Sequence, residues 1–380
     1  MLLRDCKDKE KLLDILHLAL GSQSRMKYRL SPQEWRDNLL IFQQHGIIAV
    51  VMHGISRYSA NDLGLPSELL FEWLGKSLVV EAKLKNKFDQ EKGFARKLRA
   101  SNIPVVVLKG SAFAQYYPKP ETRECGDLDC FLMGKKEEGD ALVVAAGGKM
   151  EAGGYKHSHL YYNGLVIENH RFLTSFDNTF TGIKTERLLQ KLIRVGCSPL
   201  DETSGLLKPS PLFNAFFLIK HANRHFVKEG LNLRFLLDWF FFIKAEQYNV
   251  DWPKVFSMMK ESHIYNFACV MTALCVERLG AQNVVEPLRE ASEKANARLT
   301  SMVFDDILTI RKPFFSENIF QKSLRILRRF YRMWVFRSLA DEVYSRLVWN
   351  SMFYNSITNR KVKDVIVEDR IDKDGCLNEE

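Results

Sequence analysis

Two aspartates separated by one residue, Gly126-Asp127-Leu128-Asp129, open an apolar run. Along an extended chain side chains alternate, so both carboxylates leave on the same face. Like charges so placed repel, and a cation between them removes the conflict. Hard oxygen donors at this spacing suit Mg²⁺ or Mn²⁺, whose remaining coordination comes from water and substrate phosphates.

Further along, Tyr155-Lys-His-Ser-His-Leu-Tyr-Tyr162 and Leu165-Val-Ile-Glu-Asn-His170 flank Asn163-Gly164. Asn-Gly between two strand-like runs marks a two-residue hairpin turn, because both central residues need positive φ. That turn pairs Tyr162 with Leu165, sets Glu168 opposite His159, and sets His170 opposite His157. The four ionisable side chains share one face, and Leu160, Leu165 and Ile167 take the other. A third candidate feature is Lys109-Gly110-Ser111, after the apolar run Ile103 to Leu108. Glycine at a strand-to-helix turn lets the backbone approach a phosphate, and a helix N-terminus favours its charge. Ser111 adds a hydroxyl, with Lys109 and Arg123 as cationic partners for a polyphosphate.

The elements that must position these residues lie at 101–200. Strands are expected over Ile103–Leu108 and Leu128–Met133, with helices over Ser111–Tyr117 and Lys135–Ala146, followed by the hairpin. Residues 1–100 read as helical. Ser31-Pro32-Gln33-Glu34 supplies a helix start, and Leu70 to Leu98 keep helical spacing with many lysines on what reads as a solvated face. Residues 201–360 return to helices, over Leu212–His225, Leu233–Lys244, Trp252–Leu279 and Lys322–Phe353. The last carries Arg325, Arg328, Arg329, Arg332 and Arg337, read as the basic outer face of a packed helix. Residues 361–380 form a charged, loose tail. The expected class is therefore α+β, a small mixed sheet flanked by N-terminal and C-terminal helical regions.

Taken in order, Leu108-Lys-Gly-Ser111, Tyr117-Pro118, Arg123, Gly126-Asp127-Leu128-Asp129 and Ile167-Glu168-Asn169-His170 resemble an uncharacterised nucleotidyltransferase family of the polymerase-β superfamily. His221-Ala-Asn-Arg-His225 and Arg234-Phe-Leu-Leu-Asp238 look like that family's helical continuation. The likeness spans roughly residues 40–300 and is most specific from Leu108 to Asp129. It implies that Gly110 and Ser111 hold a triphosphate, that Asp127 and Asp129 bind both metals, and that Glu168 is the third carboxylate. Asn169 and Arg171 depart from the pattern, standing where an apolar residue and an aromatic are usual. The implied activity is metal-dependent transfer of a nucleotide to an unknown acceptor hydroxyl. The alternative is a catalytically inactive regulatory protein of the same fold that binds nucleotide or nucleic acid.

Composition narrows the setting. A net charge of +9 leans toward anionic partners such as nucleotides or nucleic acid. Seven scattered cysteines without a C-x-x-C pair read as reduced thiols in a cytoplasmic protein. The most apolar stretch, Phe235 to Ile243, contains Asp238 and falls well short of the ~20 residues a bilayer crossing needs. His221 and His225 have the spacing of a helical zinc pair but lack the glutamate of H-E-x-x-H, so they read as cleft-lining or structural. Asp238, set among apolar residues, is expected to pair with Arg234 one turn earlier.

Overall fold

A computed structural model of the chain describes residues 6–151, 156–174, 180–228, 230–309, 327–328 and 330–340. Five helices come first: α1 (Cys6–Leu20), α2 (Pro32–Gln44), α3 (Ile48–Ile55), α4 (Ala60–Leu63) and α5 (Ser67–Arg99). The start of α2 follows the expected chemistry. Ser31 accepts the Glu34 N–H at 3.3 Å, while the Glu34 carboxylate accepts the Ser31 N–H at 2.7 Å. The middle of the chain then alternates: β1 (Val105–Val107), α6 (Ser111–Ala114), β2 (Leu128–Phe131), α7 (Lys136–Ala145), β3 (Lys149–Glu151), β4 (His157–Tyr162), β5 (Leu165–His170), α8 (Phe180–Val195), β6 (Cys197–Pro199) and β7 (Leu206–Pro209). Helices α9 (Pro211–Lys228), α10 (Leu233–Glu246), α11 (Trp252–Glu261), α12 (Tyr265–Ala273), α13 (Glu286–Glu293) and α14 (Ala297–Ile307) follow, with a π turn at Leu274–Arg278 and short 3-10 turns at Pro120–Thr122 and Arg337–Leu339.

The seven strands form one mixed sheet in the order β3-β4-β5-β2-β1-β7-β6. β2 runs parallel to β5 and β1 parallel to β7, and the other neighbours are antiparallel. The fold is thus the expected α+β arrangement with a mixed sheet. Three strands were not expected. β3 has no apolar residue but Met150, β6 is an edge strand ending in Pro199, and β7 lies past residue 200.

Each face of the sheet has its own core. On one, Leu128, Cys130, Leu160, Leu165 and Ile167 meet Phe94, Ala95 and Leu98 of α5 and Val143 of α7. On the other, Val106, Leu108 and Phe131 join a large cluster that contains residues of α1–α3 together with α9–α14. The two helical regions expected to flank the sheet therefore share a single core. His17 Nε2 lies 2.7 Å from the Arg278 carbonyl and strengthens that junction.

The expected helix over Trp252–Leu279 is instead two helices broken at His263, whose φ is +55°. Ile264 N–H returns to the Met259 carbonyl at 2.9 Å, closing a left-handed cap that usually employs glycine. Of the expected helix Lys322–Phe353, residues 322–326 with Arg325, Arg329 and residues 341–353 lie outside the described residues, as does the 361–380 tail. Arg332 is not on a basic outer face. Its Nε donates to the Phe226 carbonyl at 2.6 Å and the guanidinium lies over the Phe226 ring. No helix among the described residues is long and apolar enough to cross a membrane.

Ile167 is fully buried and pairs with Leu128 on one side and Leu160 on the other, backing the strand that carries Glu168. Ile167→Ala is expected to cost about 2–5 kcal/mol, read as a lowered urea midpoint with an unchanged slope.

Candidate active site

The parallel ladder between β2 and β5 sets Asp129 beside Glu168 and Leu128 beside Ile167. The β4–β5 hairpin has the expected register, with His159 opposite Glu168 and His157 opposite His170. Its turn works as anticipated, because Asn163 and Gly164 take φ of +49° and +82°. One strand thus joins two others, and alternation collects Asp129, Glu168, His157, His159 and His170 on one face. The Leu108 N–H donates to the Asp129 carbonyl at 2.9 Å, which continues the ladder past β1. Lys109 therefore emerges beside Asp129, with Nζ 2.7 Å from Oδ1. His170 Nε2 approaches the same oxygen at 3.1 Å and Glu168 Oε2 at 3.5 Å.

Electrostatics follow this geometry. Burial works against the Asp129 charge, yet Lys109 and His170 hold its carboxyl well below the usual range. The His170 contact likewise lowers Glu168. Asp127 faces solvent at the strand entrance, and partial loss of hydration on its inner side, then the charges of Glu168 and Asp129, raise its pKa. The three carboxylates therefore feel one another. Burial, then the neighbouring His170, brings His157 down to about 4. His157 and His159 meet edge-to-face at 4.7 Å.

Asn169, between Glu168 and His170, points to the opposite face. Its Nδ2 donates to Asp140 at 2.7 Å and to the Lys136 carbonyl at 3.1 Å, and the Ser158 hydroxyl also donates to Asp140. The polar residue at this position is a clasp onto α7. Arg171, the other departure, pairs with Glu137 on the same helix.

Gly110 has φ +58° and ψ −119°, a backbone conformation that side chains exclude. Ser111 follows, buried, and its Oγ makes no hydrogen bond. Helix α6 is a single turn, so its dipole adds less than a full-length helix would. Beneath the turn lies a tie between distant parts of the chain. Arg123 is buried, donates through Nη1 to the Gly110 carbonyl at 3.3 Å, and grips Asp238 of α10 through Nε at 2.7 Å and Nη2 at 2.8 Å. Tyr117 OH donates to the same aspartate at 2.8 Å. Asp238 keeps the Arg123 guanidinium charged against the burial that disfavours it.

One expectation changes here. The partner of Asp238 is Arg123 rather than Arg234, whose Nη1 donates to the Glu124 carbonyl at 2.9 Å. A buried carboxylate takes the guanidinium that offers two parallel bonds. Arg123, expected beside a polyphosphate, lies buried beneath the glycine turn and bonds its carbonyl.

Three cations escaped the sequence reading. Lys87 of α5 is buried, pairs with the fully buried Glu91, and lies 3.8 Å from where a Gly110 side chain would begin. Its signal was available, since Leu84, Lys87, Glu91, Phe94 and Leu98 form one buried stripe at helical spacing. Lys156 and Arg224 had no comparable signal. Burial, Lys109 and Arg224 push Lys156 down to about 8, while Asp129 and Glu168 pull the other way. His221 is held neutral by burial, Lys109 and His225, so the α9 face that carries it looks onto the same charges. His221 and His225 meet edge-to-face at 4.6 Å and both lie against Phe235. They belong to no metal-type cluster among the described residues; His157, Glu168 and His170 do.

A sequence model of the uncharacterised nucleotidyltransferases matches residues 31–280, well over half of the chain. The chain belongs to that family. No curated protein and no solved structure matches it. In this nucleotidyltransferase family the general reaction moves a nucleotidyl group, with a nucleoside triphosphate as donor. The matched residues run from the N-cap of α2 to just past the π turn and include every strand among the described residues.

Two outcomes follow from the site's electrostatics. Asp238→Ala strands a buried guanidinium and is expected to cost about 3–5 kcal/mol in urea unfolding. His157 binds a proton less readily folded than unfolded, so the stability it confers is present above about pH 6.5 and lost as pH falls toward about 4. Asp129 and Glu168, both lowered, add their losses only as acid titrates carboxylates. His157→Gln should therefore give a shallower fall in urea midpoint from pH 6.5 to pH 5; an unchanged slope would remove His157 as its source.

Proposed function

We propose that this nucleotidyltransferase-family protein transfers the nucleoside monophosphate unit of a nucleoside triphosphate to an acceptor hydroxyl, with Mg²⁺ or Mn²⁺ held by Asp127, Asp129 and Glu168. The reading rests chiefly on one observation: Asp129 and Glu168 are register partners on neighbouring strands, beside the turn that carries Gly110 and Ser111. It also agrees with the residue order of the polymerase-β superfamily.

The donor set fits a hard divalent cation. Three carboxylates raise or oppose one another's ionisation, and the charge set against Asp129 is the Lys109 ammonium, a stand-in for positive charge at that spot. Bound there, two divalent ions supply Lewis-acid stabilisation of charge at the α-phosphate and a lower pKa for the acceptor hydroxyl.

The chain's own residues do the rest. Gly110, lacking a side chain, lets the backbone meet phosphate oxygens, and the partnerless Ser111 hydroxyl donates to one of them. Lys109 exchanges Asp129 for the polyphosphate, and Lys87 supports the turn from behind. Lys156 and Arg224 add positive charge on the side of α9. The acceptor oxygen forms its bond to the α-phosphorus as the bond to the bridging oxygen breaks, and pyrophosphate leaves with that electron pair. Glu168 takes the hydroxyl proton in this reading.

Incubation with each nucleoside triphosphate and Mg²⁺ or Mn²⁺ should release pyrophosphate, and mass spectrometry should find one nucleoside monophosphate added to an acceptor. Asp129→Asn is expected to reduce turnover ~10³-fold, about 4 kcal/mol in the barrier, while circular dichroism stays unchanged. Full turnover in that variant overturns the assignment. Nucleoside diphosphate release would indicate terminal phosphoryl transfer, and nucleotide binding without either product a regulatory role.

A further inference from the structure

The hairpin carries a second donor set that differs in kind from three carboxylates. His157, Glu168 and His170 each offer one ligand atom, and these atoms all lie within 4.8 Å of one another. Glu168 Oε2 is 3.8 Å from His157 Nδ1 and 3.5 Å from His170 Nε2. In a tetrahedral site with bonds of ~2.0–2.1 Å, donor atoms stand roughly 3.3 Å apart. The two contacts of Glu168 are within about half an ångström of that spacing, and the separation of the two imidazole nitrogens, within 4.8 Å, closes by rotation of the rings about their side-chain bonds.

Two further observations point to a cation among these atoms. His157 Nδ1 is buried and has no hydrogen-bond partner. A nitrogen in that condition normally has its desolvation offset by a partner. His170 Nδ1 lies 3.1 Å from the Phe172 carbonyl, an acceptor, so it must carry the proton there. Nε2 is then turned toward the oxygens of Asp129 and Glu168. The Glu168 oxygen, the His170 nitrogen and the unpartnered His157 nitrogen thus converge on one small volume, a donor set that a metal ion can satisfy. Imidazoles that bind metal commonly fix their tautomer by giving the other N–H to a carbonyl in this way.

We infer that His157, Glu168 and His170 form a binding site for a first-row transition-metal dication, with Zn²⁺ and Mn²⁺ preferred over Mg²⁺. The preference comes from the donors. Two imidazole nitrogens suit borderline cations, whereas Mg²⁺ takes oxygen ligands almost exclusively. Three protein ligands leave coordination positions open, as in catalytic rather than structural sites. The site stands apart from nucleotidyl transfer in its logic, although Glu168 is common to both donor sets and couples them.

The test is calorimetric titration of metal-stripped, tag-free full-length protein with ZnCl₂, MnCl₂ and MgCl₂, without nucleotide. Zn²⁺ is expected to bind at least ~100-fold more tightly than Mg²⁺, with Mn²⁺ between them. His157→Ala should weaken Zn²⁺ binding ~100-fold or more, and His221→Ala should leave it unchanged. Zn²⁺ should also raise the melting temperature of the unaltered protein and of His221→Ala but not of His157→Ala, which separates lost binding from lost folding. Equal affinity for Mg²⁺ and Zn²⁺, or undiminished Zn²⁺ binding by a folded His157→Ala protein, would overturn the inference. Pyrophosphate release is scored separately: Zn²⁺ binding without it leaves this site intact and removes the transfer reading, and release without Zn²⁺ binding does the reverse.

Discussion

The parallel pairing of β2 with β5 places two carboxylates side by side on one face of a sheet, and much of the molecule is arranged around that repulsion. Backbone hydrogen bonds enforce the pairing, and apolar residues on the reverse face lock it. The sheet has no freedom to separate Asp129 from Glu168 without moving Leu128 and Ile167 out of their core. Neutralisation must therefore come from elsewhere. Lys109 arrives from the end of β1 and Lys156 from the approach to β4, while the His170 ring lies against both carboxylates. The sign of the surroundings is a response to the register.

A second constraint concerns the glycine turn. In the proposed function this turn meets phosphate on one side, which leaves the other side to determine its shape. Arg123 does so by joining the Gly110 carbonyl to Asp238 on α10, with Tyr117 completing the carboxylate's bonds. Buried ion pairs add little net stability, but they specify geometry when each partner is fully engaged. Here the geometry specified is the distance between the helical cluster and the turn.

Much of the site was legible because its signals are local. An Asn-Gly turn fixes a hairpin register to the residue, so His157, His159, Glu168 and His170 could be assigned to one face from spacing alone. The Asp-x-Asp pair and the Lys-Gly-Ser turn were likewise short-range patterns. What stayed hidden depends on contacts between distant residues. Asp238 had a plausible partner four residues away and took another 115 residues away. β3 and β6 are short edge strands with little apolar alternation, so nothing in their sequences marks them. His263 caps a helix in a conformation for which glycine is the usual signal. Lys87 was misread for another reason: its charge set it with the lysines of a solvated face, although it shares a buried stripe with Glu91.

Helix α5 has a consequence for how the molecule can be divided. Near its start Trp73 sits in the large helical core, and near its end Phe94 and Leu98 sit under the sheet, with Lys87 between them. The 33-residue rod is thus a shared beam. A fragment that begins at the first strand would keep Asp127, Asp129 and Glu168 and lose Lys87 and Glu91 beneath the turn. The sheet and the helix that precedes it are one piece of packing.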